Sequence, residues 1–253
     1  MNEILFFLVI LAANIIHGIT GFAGTVLAMP PSLMLVGYSV AKPVLNVLGL
    51  LSGIYVYVGQ KQHVNWKELK KIVIIMAAGI LGGVVIKGFF EGKEQVMYIL
   101  LGVFILYLSI QGLVTLLKKE KEAGTGETAA ETSSQSDSPA SYGLLALAGI
   151  VHGIFVSGGP LLIGYLTKRT QDKVSFRATI STVWIFLNSL ILIDDIRAGF
   201  WTADLIKTQI ISIPFLFAGM FIGSKLYAKM SQRLFMMITY VLLFISGISL
   251  LLK

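Results

Sequence analysis

The sequence predicts an all-α polytopic membrane protein: two inverted repeats of four hydrophobic segments, the first of each a broken, re-entrant helical hairpin. Three observations carry that prediction. The chain is 56% hydrophobic and only 13% charged, against about 25% charged in soluble domains. Its charges are bunched, and the apolar runs between them approach the ~20 residues that a spanning helix needs. A phrase is also written twice: Ile16-His17-Gly18-Ile19-Thr20-Gly21-Phe22-Ala23-Gly24 returns as Val151-His152-Gly153-Ile154-Phe155-Val156-Ser157-Gly158-Gly159. Glycines clustered inside an apolar run break a helix at membrane depth. Such a break is tolerated only where the backbone is buried in protein or lines a water-filled cavity. Breaks in corresponding positions of two halves point to a transport site.

The apolar segments lie at 4–36, 43–59, 72–90, 96–117, 142–166, 178–193, 205–228 and 234–252. The first is too long for one comfortable span and too short for two with a turn. Broken at His17–Gly24, it gives two arms of ~15 residues reaching ~22 Å, past the middle of a ~30 Å core. Met1-Asn2-Glu3 supplies no basic leader and no small-residue cleavage site follows, so this stretch reads as a membrane segment rather than a signal peptide. The second segment carries Asn46 and Ser52, and the third carries Gly82 and Gly83, which with Gly219 and Gly223 of the seventh sit at a spacing suited to close helix packing. After the fourth comes 118–141, rich in Gly, Ser, Thr and Glu and without a large apolar residue. It is expected to be a disordered linker between an N-terminal repeat, 1–117, and a C-terminal repeat, 142–253. The fifth segment breaks at His152–Gly159, with arms of ~18 Å. The sixth carries Ser181, Thr182, Trp184, Asn188 and Ser189, and the seventh carries Gly219 and Gly223. The halves align in order: His17 with His152, Trp66 with Trp201, Glu94-Gln95 with Ser231-Gln232, and Gly79 and Gly83 with Gly219 and Gly223.

Charge decides the topology. If all eight segments cross, the 20 Lys and Arg divide evenly between the two sides. If segments one and five enter and leave on one side, the cytoplasm receives Lys61, Lys67, Lys70, Lys71, Lys118, Lys119, Lys121, Lys168, Arg169, Lys173, Arg177, Lys225, Lys229 and Arg233. That is the positive-inside pattern. It inverts the repeats, leaves the linker cytoplasmic and both termini outside, and implies a multi-pass cell-membrane protein among lipids. The net charge of +7 then reflects short topogenic loops and not a nucleic-acid partner. With no cysteine, disulfides, thiolate metal sites and cysteine nucleophiles are excluded.

The two tips are the candidate site. After each break a short helix begins, with free N–H groups and a positive dipole end. Two such ends facing each other bind an anion without arginine, and no Lys or Arg lies in the predicted midplane. Pro30, Pro31 and Pro160 suit a break or a helix start. The candidate substrate-binding residues are His17, Thr20, Gly21, Gly24, Thr25, Asn46, His152, Ser157, Gly158, Gly159 and Asn188, with Trp184 as a wall. The two histidines either brace their hairpins through backbone carbonyls or touch the substrate. No carboxylate or thiolate accompanies them, so neither metal nor cofactor is expected. No Asp or Glu lies deep in a span, which argues against carboxylate-driven proton coupling. No nucleophile elbow or H-E-x-x-H motif marks an enzyme. The alternatives are an anion channel of the same fold and a histidine-based membrane redox or metal protein.

At these residues the chain resembles the sulfite exporter TauE/SafE family. Gly21-Phe22-Ala23-Gly24-Thr25 with Pro30 is similar to that family's G-F-G-G-G motif and following proline, and Gly153 to Pro160 is similar to its second copy. Ala23 and Thr25 stand at usual glycine positions, as does Pro160, and Gly164 lies where a later proline is usual. The resemblance covers nearly the whole chain outside the linker. It implies export of a small sulfur-containing anion, such as sulfite or an organosulfonate, through two related halves. Oligomeric state is left open.

Overall fold

A computed structural model describes residues 2–89, 93–125, 139–166, 169–170 and 172–227, and near the C-terminus 237, 240–241, 244–245, 247–248 and 251–252. Among these residues the chain is helical and has no strand. The helices are α1 Asn2–Thr20, α2 Ala23–Val36, α3 Tyr38–Gln60, α4 Trp66–Gly88, α5 Glu94–Thr125, α6 Pro139–Phe155, α7 Gly159–Leu166, α8 Lys173–Arg197 and α9 Ala203–Tyr227, with a 3₁₀ turn at Lys61–His63. Among the described residues, five helices are long and apolar enough to cross a membrane. Ile74, Leu81 and Val85 on α4 are each more than 60% exposed, an apolar face suited to lipid and to nothing aqueous.

Both expected breaks are present, and they share one construction. Gly21 ends α1 with φ +80°, and its N–H donates to the His17 carbonyl at 2.6 Å. Val156 ends α6 with φ 54°, and its N–H donates to the His152 carbonyl at 2.7 Å. Each second arm folds back along its first. An ideal Cβ on Gly24 of α2 would sit 3.0 Å from the Ala13 carbonyl of α1, and Gly158 abuts the matching Ala148 carbonyl of α6. Only glycine admits so close an approach.

The arms are less equal than expected. α1 has 19 residues and α2 has 14, or about 28 and 21 Å. α6 has 17 and α7 only 8, or about 25 and 12 Å. Each break therefore falls beyond the centre of its apolar run, and α1 alone is long enough to cross. Pro160 fits its expected place in the first turn of α7, but Pro30 and Pro31 lie inside α2. They remove two rungs of that helix and leave the Val26 and Leu27 carbonyls without a helical donor. α5 runs on to Thr125, taking in the first residues of the expected linker, and α6 begins at Pro139. The span 126–138 and most of the eighth apolar segment lie outside the described residues; those described in that segment are helical apart from a turn at 252.

The halves interlock reciprocally. α1 of the first half packs on α9 of the second, and α6 of the second packs on α4 of the first. Both crossings run through glycines. Ideal Cβ atoms on Gly219 and Gly223 would come 2.8 Å from the Leu11 carbonyl and 3.0 Å from Gly18 Cα. Those on Gly149 and Gly153 would come 2.9 Å from Met76 Cα and 2.8 Å from the Ile80 carbonyl. Close backbone contact of this kind holds helices together in lipid, where burial of apolar side chains gives little driving force. Both pairs run parallel, since residue numbers rise together along each contact. The matching helices α3 and α8 pack at the centre and run antiparallel. Lys42 meets Asp194 at 3.4 Å and also Asp195, Asn46 meets Asn188, and Gly53 lies against Ser181 and Ile185.

Candidate functional site

The two breaks meet. The open side of Gly159, the first residue of α7, faces the Phe22 carbonyl at 3.6 Å and Val26 Cγ2 at 3.8 Å, measured from an ideal Cβ. Between the tips and the central pair lies a cavity lined by His17, Phe22, Thr25, Val26, Gly49, His152, Val156, Gly159, Trp184 and Asn188. Its free space admits about one water-sized sphere, so the site is narrow.

Five of the predicted residues line this cavity: His17, Thr25, His152, Gly159 and Asn188. Gly24 and Gly158 stand behind it, where ideal Cβ atoms would fall 2.6 Å and 2.8 Å from the Cβ atoms of His17 and His152. Their lack of a side chain seats the imidazoles. Thr20 is a hinge residue and not a cavity donor. Its hydroxyl donates to the Ile16 carbonyl at 2.8 Å and accepts from the N–H groups of Phe22 and Ala23, capping the start of α2. Gly21 packs against the Arg177 side chain and Ser181, both 3.0 Å from an ideal Cβ. Ser157 is fully buried and donates to the Phe155 carbonyl at 2.9 Å. Asn46 lies one layer out, donating to the Asn188 carbonyl at 3.0 Å.

The hydrogen bonds assign the histidine protons. Ser52 donates its hydroxyl proton to the Gly49 carbonyl at 2.8 Å. It therefore accepts from His17, whose Nε2 lies 3.0 Å away. The Gly158 N–H can only donate, and it lies 3.4 Å from His152 Nδ1. His152 Nε2 is then the protonated nitrogen, donating to Asn188 Oδ1 at 2.8 Å. Both rings brace their hairpins against the third helix of their own half. The braces run through the Ser52 and Asn188 side chains rather than the backbone carbonyls expected. With Oδ1 engaged, Asn188 sets Nδ2 beside Gly49, 2.5 Å from where a Cβ would stand. The His152 ring also stacks on Trp184, with centroids 5.0 Å apart.

Sequence reasoning missed the polar side chains that hold the tips and a buried ion pair beside them. Arg177, at the start of α8, donates to the Gly18 carbonyl at 2.8 Å. Tyr38, at the start of α3, donates to the Ile154 carbonyl at 2.5 Å. Each tip is thus tied to the third helix of the opposite half. Lys42 and Asp195 are both wholly buried, so a carboxylate does lie inside the bundle, paired with an ammonium. A signal existed: Lys42 and Arg177 share the 135-residue offset of His17 and His152. Neither cation lines the cavity. Among the described residues no cluster of three or more His, Asp or Glu has the makings of a metal site.

Comparison with known proteins agrees with this architecture. The family described as Sulfite exporter TauE/SafE matches residues 6–250. The chain is 26% identical over 190 residues to the "Probable inner membrane transporter protein TsaS" of Comamonas testosteroni, covering 75% of this chain and 73% of that protein. No solved structure matches it significantly. The family match spans both broken hairpins and the helices that clasp them, and the chain belongs to the sulfite exporter TauE/SafE family of membrane transporters.

Proposed function

We propose that this protein exports a small sulfur-containing anion, sulfite or an organosulfonate, across the cell membrane by alternating access. The observation that carries this reading is the convergence of the starts of α2 and α7 on one narrow cavity, with Gly159 against Phe22 and Val26. Helix N-termini offer unpaired N–H groups and positive potential, and the cavity adds neutral donors on Thr25 and Asn188. His17, Gly49, His152 and Gly159 complete the binding surface; Thr20, Gly21, Gly24, Asn46, Ser157 and Gly158 fix its shape. The sulfur chemistry and the outward direction rest on the family's description. The halves act as inverted repeats, a reading supported by the antiparallel packing of α3 on α8 and by the positive-inside count. The linker is then cytoplasmic and the termini external.

A thermal-shift screen of the purified protein with sulfite, thiosulfate, methanesulfonate, taurine and acetate tests this. A ligand at 100 times its Kd stabilises the folded state by about 2.7 kcal/mol. A sulfur oxyanion is expected to raise the melting temperature well above the acetate control. No shift with any sulfur anion, or an equal shift with acetate, contradicts the reading.

A further inference from the structure

Trp184 is a large side chain on α8, 4% exposed, on the cavity wall. Among the described residues its Nε1 has no hydrogen-bond partner. An indole N–H can only donate, and a buried donor without an acceptor is costly unless something completes it. The ring is held firmly. One face stacks on His152, with centroids 5.0 Å apart and planes 28° apart. Its Cζ2, two bonds from Nε1, lies 3.6 Å from an ideal Cβ on Gly159. The indole therefore lies against the first turn of α7, where the two breaks meet, with Nε1 two bonds from the atom nearest Gly159.

The neighbouring groups do not supply the missing acceptor. Asn188 Oδ1 is taken by His152, and the amide sets Nδ2, another donor, beside Gly49. Both histidine Nε2–H groups are spent on Ser52 and Asn188. Val26 and Val156 are apolar side chains on the same wall. The wall thus combines apolar surface with neutral donors, and the acceptors that remain on it, the Phe22 carbonyl and the Thr25 hydroxyl, make no hydrogen bond to Nε1.

Resting on the functional reading above, we propose that Trp184 Nε1–H binds an oxygen of the transported oxyanion, making Trp184 a substrate-binding residue alongside Asn188 Nδ2. The ligand class is an anion whose oxygens only accept, such as sulfite or a sulfonate headgroup. At Trp184 Nε1 and Asn188 Nδ2, an ammonium or an amide N–H finds donors facing donors.

Two measurements on the full chain in detergent test this, using sodium sulfite and sodium methanesulfonate as probes. In the first, affinity is measured by titration calorimetry for the native protein and for Trp184→Phe, which keeps the stacking ring and removes the N–H. The expected result is a loss of about tenfold in affinity, the size of one hydrogen bond to a charged partner, with the ligand-free melting temperature little changed. In the second, Trp66→Phe and Trp201→Phe leave Trp184 as the sole tryptophan of the three. Its emission is expected to change saturably over the concentration range of binding. Native affinity retained in Trp184→Phe, or silent Trp184 emission while the anion binds, overturns the assignment alone. If Trp184→Phe does not fold, the fluorescence titration decides. Failure of both anions to bind the native protein rejects the functional reading and the assignment together.

Discussion

His17 and His152 hold equivalent positions and do the same work through different partners, Ser52 in one half and Asn188 in the other. The glycine after each serves a separate purpose: Gly18 and Gly153 face the neighbouring helix, not the cavity. The repeated His-Gly pair thus joins a bracing residue to a packing residue. Val156 breaks the symmetry. It takes the place of Gly21, at φ 54°, in a left-handed region where a β-branched side chain is strained. Such outliers cost of order 1–3 kcal/mol, and Val156 contributes a wall of the cavity in exchange. Val156→Gly is expected to stabilise the protein by about 1 kcal/mol, after glycine's own entropic cost, measured as a higher melting temperature without ligand. A lower melting temperature would show that the side chain's packing outweighs its strain. The histidines and glycines were legible because they stand out in an apolar run. Ser52 was legible only as a polar residue in a span, because its role depends on a tertiary contact 35 residues away. Arg177 was hidden for another reason. By sequence it belongs to a cytoplasmic loop, yet it lies in the first turns of α8 and reaches back to Gly18.

At the scale of elements, each hairpin is clasped by the fourth helix of the other half through glycine-to-backbone contact. The sequence marked Gly82, Gly83, Gly219 and Gly223 for close packing. The structure keeps three and sets Gly82 aside, because an ideal Cβ there meets only Ile150 Cγ1 at 3.9 Å. At Gly83 the same atom would lie 2.5 Å from the Ile150 carbonyl. Gly83→Ala is therefore expected to cost about 1–3 kcal/mol, the usual penalty for overpacking, while Gly82→Ala should be neutral or slightly stabilising. Melting curves of the two variants in one detergent separate them, and equal losses would refute the clasp. The breaks and the central polar helices were legible, since each leaves a local mark on composition. Helix ends were not. Pro30 and Pro31 looked like punctuation but sit inside α2. Lys118 to Thr125 looked like linker but continue α5. In both places propensity yields to the helix already propagating from an apolar stretch.

Over the whole molecule, the pairings are reciprocal: α1 with α9, α6 with α4, and α3 with α8. Antiparallel packing of the matching helices α3 and α8 suits repeats of opposite orientation. It predicts that single cysteines at Lys61 and Lys173 label from the same, cytoplasmic face and that one at Gly199 labels from the other. Labelling of Lys61 and Lys173 from opposite faces would restore parallel halves. The two tips are tied by Arg177 and Tyr38, which start the central helices at opposite ends of the bundle. The account stands or falls on the cavity between the tips being the transport site. Gly159 gives the cleanest probe, because an ideal Cβ there has no contact closer than 3.6 Å, whereas any side chain at Gly24 collides with His17 and disturbs the hairpin itself. The deciding measurement is sulfite flux in proteoliposomes containing native protein or Gly159→Val at equal, verified incorporation. The native protein should show saturable flux and the variant, folded and inserted, almost none; equal flux in the two would contradict the account.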